Sequence, residues 1–230
     1  MERHEIRVIA RIHSDFREKF GIPRQSGLVE ALRATVVFEP EFRNPDALRG
    51  IEGFSHLWLI WQFSEAVRAD WSPTVRPPRL GGNTRVGVFA TRSPFRPNAI
   101  GLSCVRLEGV RQDPALGTVL DVSGADLLDG TPIYDVKPYL PYADCRPEAV
   151  GGFAAAAPGS RLRVVCPEGL FEQLPPEKRE AVLGVLGQDP RPSYQDDPNR
   201  VYGMRFADLE LRFTVDGEIL TVREISRYRE

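Results

Sequence analysis

Alternation of hydrophobic and polar positions dominates the first 140 residues of the chain and is typical of β-strands with one buried face. In the first such segment Ile6, Val8 and Ile12 fall on one face, while Arg7 and Arg11 point away from it. The pattern predicts strands over residues 6–12, 33–39, 54–63, 86–91, 100–110, 118–123 and 131–136. Gly, Pro, Asn and Asp separate these segments. Many short strands with little helix between them favour an all-β barrel or sandwich.

The pattern changes after residue 140. Residues 141–160 contain a Gly-Gly pair, four consecutive alanines and a Pro-Gly pair, which predict an extended connection. The elements predicted beyond it are a strand at 162–166, a helix at 176–186, and a hairpin of 203–215 and 218–225 around the turn Asp216-Gly217. One short helix is expected earlier, at 46–51, where Asn44-Pro45 offers a cap and a first turn. We therefore predict a mainly β fold, with a barrel domain over 1–145 and a small α+β domain over 146–230.

The distribution of charge singles out the middle of the chain. The 230 residues carry a net charge of -2, yet the segment 71–107 has six arginines and no Asp or Glu. Prolines and glycines surround these arginines, so their guanidinium groups sit on stiff loops. The arginines could pair with distant carboxylates. Because the segment itself offers no acid, we expect the loops to meet an anionic partner.

Several classes of protein are excluded by what the sequence lacks. The three cysteines and three histidines have no metal-ligand spacing, so no metal site is expected. No Rossmann GxGxxG, P-loop or GxSxG motif occurs. The N-terminus does not resemble a secretion signal and no apolar run could cross a membrane, which predicts a cytoplasmic protein.

The segment 125–142 carries three acids, one of only three lysines, and three tyrosines. Asp129-Gly130 is a turn signature, so Asp129 could simply brace a turn. Asp135 and Lys137 lie two apart on one face of an extended segment. They could pair with each other or face a reaction centre, and the sequence leaves both possibilities open.

Long motifs in the order of one family occur through nearly the whole chain. They are residues 20–28 (FGIPRQSGL), 53–58 (GFSHLW), 76–83 (RPPRLGGN), 87–102 (GVFATRSPFRPNAIGL), 129–139 (DGTPIYDVKPY) and 188–194 (QDPRPSY). In these motifs the chain resembles the TrmO (YaeB/TsaA-like) tRNA methyltransferases. The resemblance implies a homodimer built on a β-barrel that binds S-adenosylmethionine and is unlike the Rossmann methyltransferases. It also implies methylation of N6 of a threonylcarbamoyl-modified adenosine beside the tRNA anticodon.

Carried over by position, the resemblance implies a cofactor site made from three loops and two strand ends. Its expected residues are Pro23, Arg24, Gln25, Ser26, Gly27, Phe63, Arg92, Leu102, Asp126, Leu127, Leu128 and Asp129.

Chemistry assigns the remaining roles. The acylated N6 is a poor nucleophile with a relatively acidic proton. A carboxylate or a backbone oxygen could accept that proton, and Asp135 is the predicted acceptor. Lys137 is predicted to stabilise charge that develops on the carbamoyl oxygen. Side chains predicted to contact the tRNA are Arg76, Arg79, Arg96, Asn98, Arg191 and Tyr194.

Two other functions remain open at this stage. A non-catalytic RNA-binding β-barrel module would need the same basic loops but would not bind S-adenosylmethionine. An enzyme acting on another phosphorylated ligand is disfavoured by the absence of metal ligands and of a P-loop.

Overall fold

The computed structural model describes residues 2, 4–67, 70–155, 162–192, 195 and 197–228. Its strands in the first part of the chain are β1 (Ala10–Ser14), β2 (Arg33–Phe38), β3 (His56–Gln62), β4 (Thr74–Val75), β5 (Val86–Gly87), β6 (Ile100–Asp113), β7 (Gly117–Ser123) and β8 (Pro132–Pro138). The later elements are the helix α1 (Pro141–Asp144), the strand β9 (Arg163–Val165), the helices α2 (Glu168–Phe171) and α3 (Arg179–Gly187), and the strands β10 (Tyr202–Phe206), β11 (Leu209–Asp216) and β12 (Ile219–Arg227). The mainly β fold class predicted from the sequence is confirmed.

Six of the strands form a closed barrel in the order β1-β2-β7-β6-β3-β8. Closure comes from β8, which pairs with β3 on one side and with β1 on the other, where Ala10 faces Ile133. Strand β3 shows why these residues form a barrel wall. Leu57, Leu59 and Trp61 alternate inward into the apolar core, and the residues between them face outward.

The two short strands β4 and β5 pair with each other as a small hairpin. It lies within the arginine-rich segment and precedes the loop that leads into β6. The prediction of a strand over 86–91 is correct only for its first two residues. The strand stops there because β4 offers only two residues for pairing. The backbone then forms a 3-10 turn over Val88–Ala90, which the buried side chain of Val88 anchors.

The C-terminal part forms a four-stranded sheet in the order β10-β11-β12-β9, with α3 near β9. The predicted hairpin at Asp216-Gly217 joins β11 to β12. The segment 203–215 is two strands rather than one, because the chain turns at Ala207. Ala207 has a φ of 54°, a conformation usually marked by glycine, so the sequence gives no signal of this turn.

Two apolar clusters support the two sheets, and the first part of the chain contributes to both. One cluster fills the barrel. The other packs the C-terminal sheet and α3, and it includes Phe16, Val29 and Leu32 from the segment between β1 and β2. The boundary predicted at 145/146 therefore does not separate the apolar contacts cleanly, and the domain division stays a prediction.

Candidate functional site

A cavity of about 900 Å³ lies where β3 ends and β6 begins. Its volume falls in the range of sites that enclose a small organic ligand. Ten residues predicted for the two binding roles line it: Pro23, Arg24, Gln25, Phe63, Arg92, Arg96, Asn98, Leu102, Asp126 and Leu128. Residues far apart in the sequence thus face one space.

Backbone hydrogen bonds hold the predicted cofactor loops together. The N–H of Gly27 donates to the carbonyl of Gly124 at 2.9 Å, next to the segment that carries Asp126. The N–H of Cys104 in β6 donates to Ser26 Oγ at 3.1 Å. Gly124 has a φ of 74°, and a Cβ there would lie 3.4 Å from the backbone of Gly27. The loop 23–27 is therefore fixed against β6 and the segment 124–128.

Inside the barrel, a chain of hydrogen bonds ends at Asp126. Trp61 Nε1 donates to Ser103 Oγ at 2.9 Å, and Ser103 Oγ lies 2.6 Å from Asp126 Oδ1. An indole N–H can only donate, so the serine accepts from Trp61 and its own proton is free for the carboxylate. Because Trp61 and Ser103 are both buried, this chain fixes the orientation of the Asp126 carboxylate at the cavity wall.

Burial raises the pKa of the Asp126 carboxyl above its ordinary value of 3.8. The hydrogen bond from Ser103 and the nearby Arg92 guanidinium act in the opposite direction, because both favour the ionised form.

The cavity also carries basic side chains. Arg92 Nη1 donates to Gln25 Oε1, and Arg96 Nη1 donates to the carbonyl of Thr91 at 2.9 Å. Lys19 Nζ lies 3.2 Å from Glu65 Oε2 at the cavity wall. With Arg24, four cationic side chains line the cavity against two carboxylates, which suits a ligand with anionic groups.

Four residues predicted for the cofactor site do not line this cavity. Ser26 and Gly27 hold the loop in place as described, and Leu127 is buried in the barrel core. Asp129 accepts a hydrogen bond from the N–H of Ser14 at 3.1 Å and so braces the end of β1.

The predicted catalytic residues lie outside the cavity. Asp135 Oδ2 and Lys137 Nζ are 2.8 Å apart on β8. Asp135 is opposite Ile60 of β3, and Ile60 is opposite Leu102 of β6. Asp135 and Leu102 therefore share the outer face of the barrel, two strand spacings or about 10 Å apart.

The other residues predicted to contact tRNA are dispersed. Arg76 and Arg79 are exposed beside the hairpin of β4 and β5. Arg191 is 9% exposed, and its Nε lies 2.9 Å from Asp189 Oδ1. That burial limits the access of Arg191 to a phosphate. Tyr194 lies outside the described residues.

Several cavity residues escaped the sequence analysis. Trp61 lines the cavity and Ser103 lies behind it, where it contacts Asp126. Both look like ordinary inward positions of two strands, and only the alternation that buries them could have suggested their role. Lys19 and Glu65 carry no motif of their own. The remaining unpredicted lining residues are Ile22, Gln62, Ser64, Ala66, Phe89, Thr91, Pro94, Phe95, Pro97, Ile100, Gly101 and Thr131.

Across the described ranges, no three His, Cys, Asp or Glu side chains are grouped as a metal site would require. In the same part of the chain, no helix is both long and apolar enough to cross a membrane.

The fold and the cavity define a β-barrel protein with a cavity of small-molecule size beside basic loops, and sequence comparison assigns the family. The profile of the tRNA-methyltransferase O N-terminal domain matches residues 11–145, and that of the TrmO C-terminal domain matches residues 168–228. The chain belongs to the TrmO family.

Relatives and solved structures resemble the chain over most of its length. The tRNA (adenine(37)-N6)-methyltransferase of Escherichia coli K12 is 41% identical over 225 residues, 94% of either chain. A relative from Pseudomonas aeruginosa is 44% identical over 229 residues, which are 91% of this chain and 92% of its own. Its name describes it as an S-adenosylmethionine-dependent methyltransferase. A crystal structure of TrmO from P. aeruginosa superposes with a TM-score of 0.80 at 37% identity, covering 99% of this chain and 98% of its own.

Proposed function

We propose that this protein transfers a methyl group from S-adenosylmethionine to N6 of a threonylcarbamoyl-modified adenosine next to the anticodon of tRNA. Membership of the TrmO family supports the methyltransferase class. The names of the relatives support adenine at position 37 as the target. The observation that carries the proposal is a cavity at one end of the barrel that brings together residues of the motifs 20–28 and 87–102 with Asp126 and Leu128.

The residues of the cavity fit S-adenosylmethionine. Its volume is sufficient, Leu102 and Phe63 offer apolar contact, and Gln25 and Asp126 offer hydrogen-bond acceptors. When bound, the cofactor supplies a methyl carbon attached to a positively charged sulfonium. The chain's residues must then hold N6 in line with that carbon, and such positioning can contribute several kcal/mol, on the order of 7–11 in well-oriented cases.

A proton must leave N6 during the transfer, and Asp135 is our proposed acceptor. Its place on the same outer face as Leu102 supports this role, since a ligand extending from the cavity over that face would approach it. Lys137 would stabilise charge on the carbamoyl oxygen. We expect Asp135→Asn to lower the single-turnover rate about 100-fold or more at saturating cofactor and tRNA. A near-normal rate would remove Asp135 from this role.

The homodimer implied by the family resemblance is also proposed. On the outer face of β3 and β6, Ile100 and Leu102 are exposed and Ile60 is partly buried. An apolar surface of this kind is typical of a subunit contact, and a partner subunit there would form one wall of the path from the cavity to Asp135. Sedimentation analysis of Ile60→Glu should show a shift from dimer to monomer. A wild-type protein that sediments as a monomer would contradict the proposal.

The deciding experiment is a methylation assay on tRNA with and without the threonylcarbamoyl group. Methyl transfer only to the modified tRNA supports the proposed substrate, and equal transfer to both would restrict the proposal to adenine. The rival function, a non-catalytic RNA-binding module, predicts RNA binding without binding of S-adenosylmethionine. Calorimetric titration with S-adenosylmethionine distinguishes the two.

A further inference from the structure

An exposed aromatic pair lies beside the cavity. The rings of Trp71 and Phe89 have centroids 6.0 Å apart and an interplanar angle of 32°. Phe89 is 72% exposed and Trp71 is 51% exposed. Phe89 also lines the cavity. Large apolar rings left in solvent next to a binding site indicate a surface that contacts a partner.

The pair is held in place by the backbone around it. The N–H of Val88 donates to the carbonyl of Pro73 at 2.9 Å, and the hydroxyl of Thr91 donates to the carbonyl of Val88 at 2.8 Å. Val88 itself is 1% exposed, so its burial turns the neighbouring Phe89 outward. The rings are therefore presented before any partner arrives, which reduces the entropy lost on binding.

Charge identifies the kind of partner. The pair lies in the segment 71–107, which carries six arginines and no acid. Arginines combined with exposed aromatic rings are typical of surfaces that bind single-stranded nucleic acid, in which phosphates meet the cations and bases stack on the rings.

We propose that Trp71 and Phe89 form a stacking surface for unpaired RNA bases that flank the base methylated at the mouth of the cavity. This inference rests on the proposed function and names the part of the tRNA that the surface recognises. Bases in a duplex are already stacked on their neighbours, so the surface selects the single-stranded loop over the stem.

The test compares two synthetic RNA probes with equal numbers of phosphates, a hairpin with an anticodon-length loop and a blunt duplex. Phe89→Ala should weaken hairpin binding about tenfold, the effect of losing one stacked base, and leave duplex binding unchanged. Because no charge is removed, the slope of log K against log salt should not change. Phe89→Trp should retain hairpin affinity, whereas Phe89→Leu should not.

A matched control is Phe54→Ala. Phe54 is 37% exposed but precedes β3, so it lies at the end of that strand opposite to the cavity. The Phe54→Ala variant should bind both probes with wild-type affinity. Equal losses for the two probes with Phe89→Ala, or a change of oligomeric state in that variant, would overturn the stacking role. Failure of the wild type to methylate tRNA would overturn the proposed function but not the difference between the probes.

Discussion

Asp126 shows how a single residue relates stability to function. Its pKa is raised by burial, so between the ordinary value of 3.8 and the raised value the folded protein binds more protons than the unfolded chain. The free energy of unfolding therefore falls as the pH rises through that interval. Above it, the ionised carboxylate destabilises the fold.

We predict that Asp126→Asn raises the melting temperature at neutral pH and weakens binding of S-adenosylmethionine. Each kcal/mol gained should raise the melting temperature by about 2–4 °C in a chain of this size. The difference from the wild type should shrink towards pH 4, where the unfolded carboxyl begins to take up its proton. Thermal unfolding followed by circular dichroism across that range measures it. A lower melting temperature at neutral pH would mean that hydrogen bonds to the ionised form outweigh the burial penalty.

Gly101 is required by its close contact with Trp61. A Cβ at Gly101 would lie 2.3 Å from the indole ring, which must then move away from Ser103. We predict that Gly101→Ala lowers the free energy of unfolding by about 1–3 kcal/mol, as overpacked cores do. Gly109→Ala in the same strand is the control, because a Cβ there meets nothing within 4 Å. Urea denaturation of both variants checks the prediction, and equal losses would contradict it.

At the scale of elements, the sequence predicted a barrel strand well where hydrophobic and polar residues alternate and a neighbouring strand is present to pair with it. The strand at 54–63 appears as β3, because its inward positions are large and apolar. The first strand begins at Ala10 rather than at residue 6, since Ile6 is exposed and has no partner strand beside it in the described part of the chain. A strand begins and ends where a neighbouring strand is available to pair with it, and the local sequence pattern carries no information about that neighbour.

In the arginine-rich loops, phosphate contact by an arginine can be tested separately from the hydrogen bonds that an arginine makes within its own loop. Arg96 braces its own loop through the carbonyl of Thr91, whereas Arg79 lies outside the cavity. Arg79→Ala should weaken tRNA binding and reduce the salt slope by about 1, with binding of S-adenosylmethionine unchanged. Arg96→Lys should keep the slope but lower kcat/KM, because lysine does not place a planar guanidinium where its Nη1 donates to the Thr91 carbonyl. Filter binding over a salt series measures the slopes, and an unchanged slope for Arg79→Ala would exclude it from phosphate contact.

At the scale of the whole molecule, motif matching gave the loops of the site but not their contacts. Arg92 and Gln25 are 67 residues apart and meet because the barrel closes between them. The Trp61–Ser103–Asp126 chain likewise depends on the pairing of β3 with β6. Which inward polar residue reaches which carboxylate follows from strand register, and one sequence does not specify that register.

The segment between β1 and β2 joins the two sheets, and this predicts how a truncated chain behaves. The rings of Phe16 and Phe206 pack edge-on with their centroids 5.4 Å apart, and Lys178 Nζ lies 2.5 Å from Asp15 Oδ2. The same segment continues into the cofactor loop that begins at Pro23. A fragment of residues 1–145 would expose Phe16 together with Val29 and Leu32, and it would lose the apolar contacts of Phe20 and Ile22, which lie just before the loop.

We therefore expect the 1–145 fragment to melt at a lower temperature than the full chain, to bind a hydrophobic dye, and to bind S-adenosylmethionine more weakly. Serine at Phe16, Val29 and Leu32 should abolish dye binding by the fragment but destabilise the full chain, where each large apolar side chain lost from a core costs about 2–5 kcal/mol. Differential scanning calorimetry of the four proteins checks this. If the fragment is as stable as the full chain and binds no dye, the prediction is wrong. The barrel would then hold the predicted cofactor loop in place without any contribution from the C-terminal sheet.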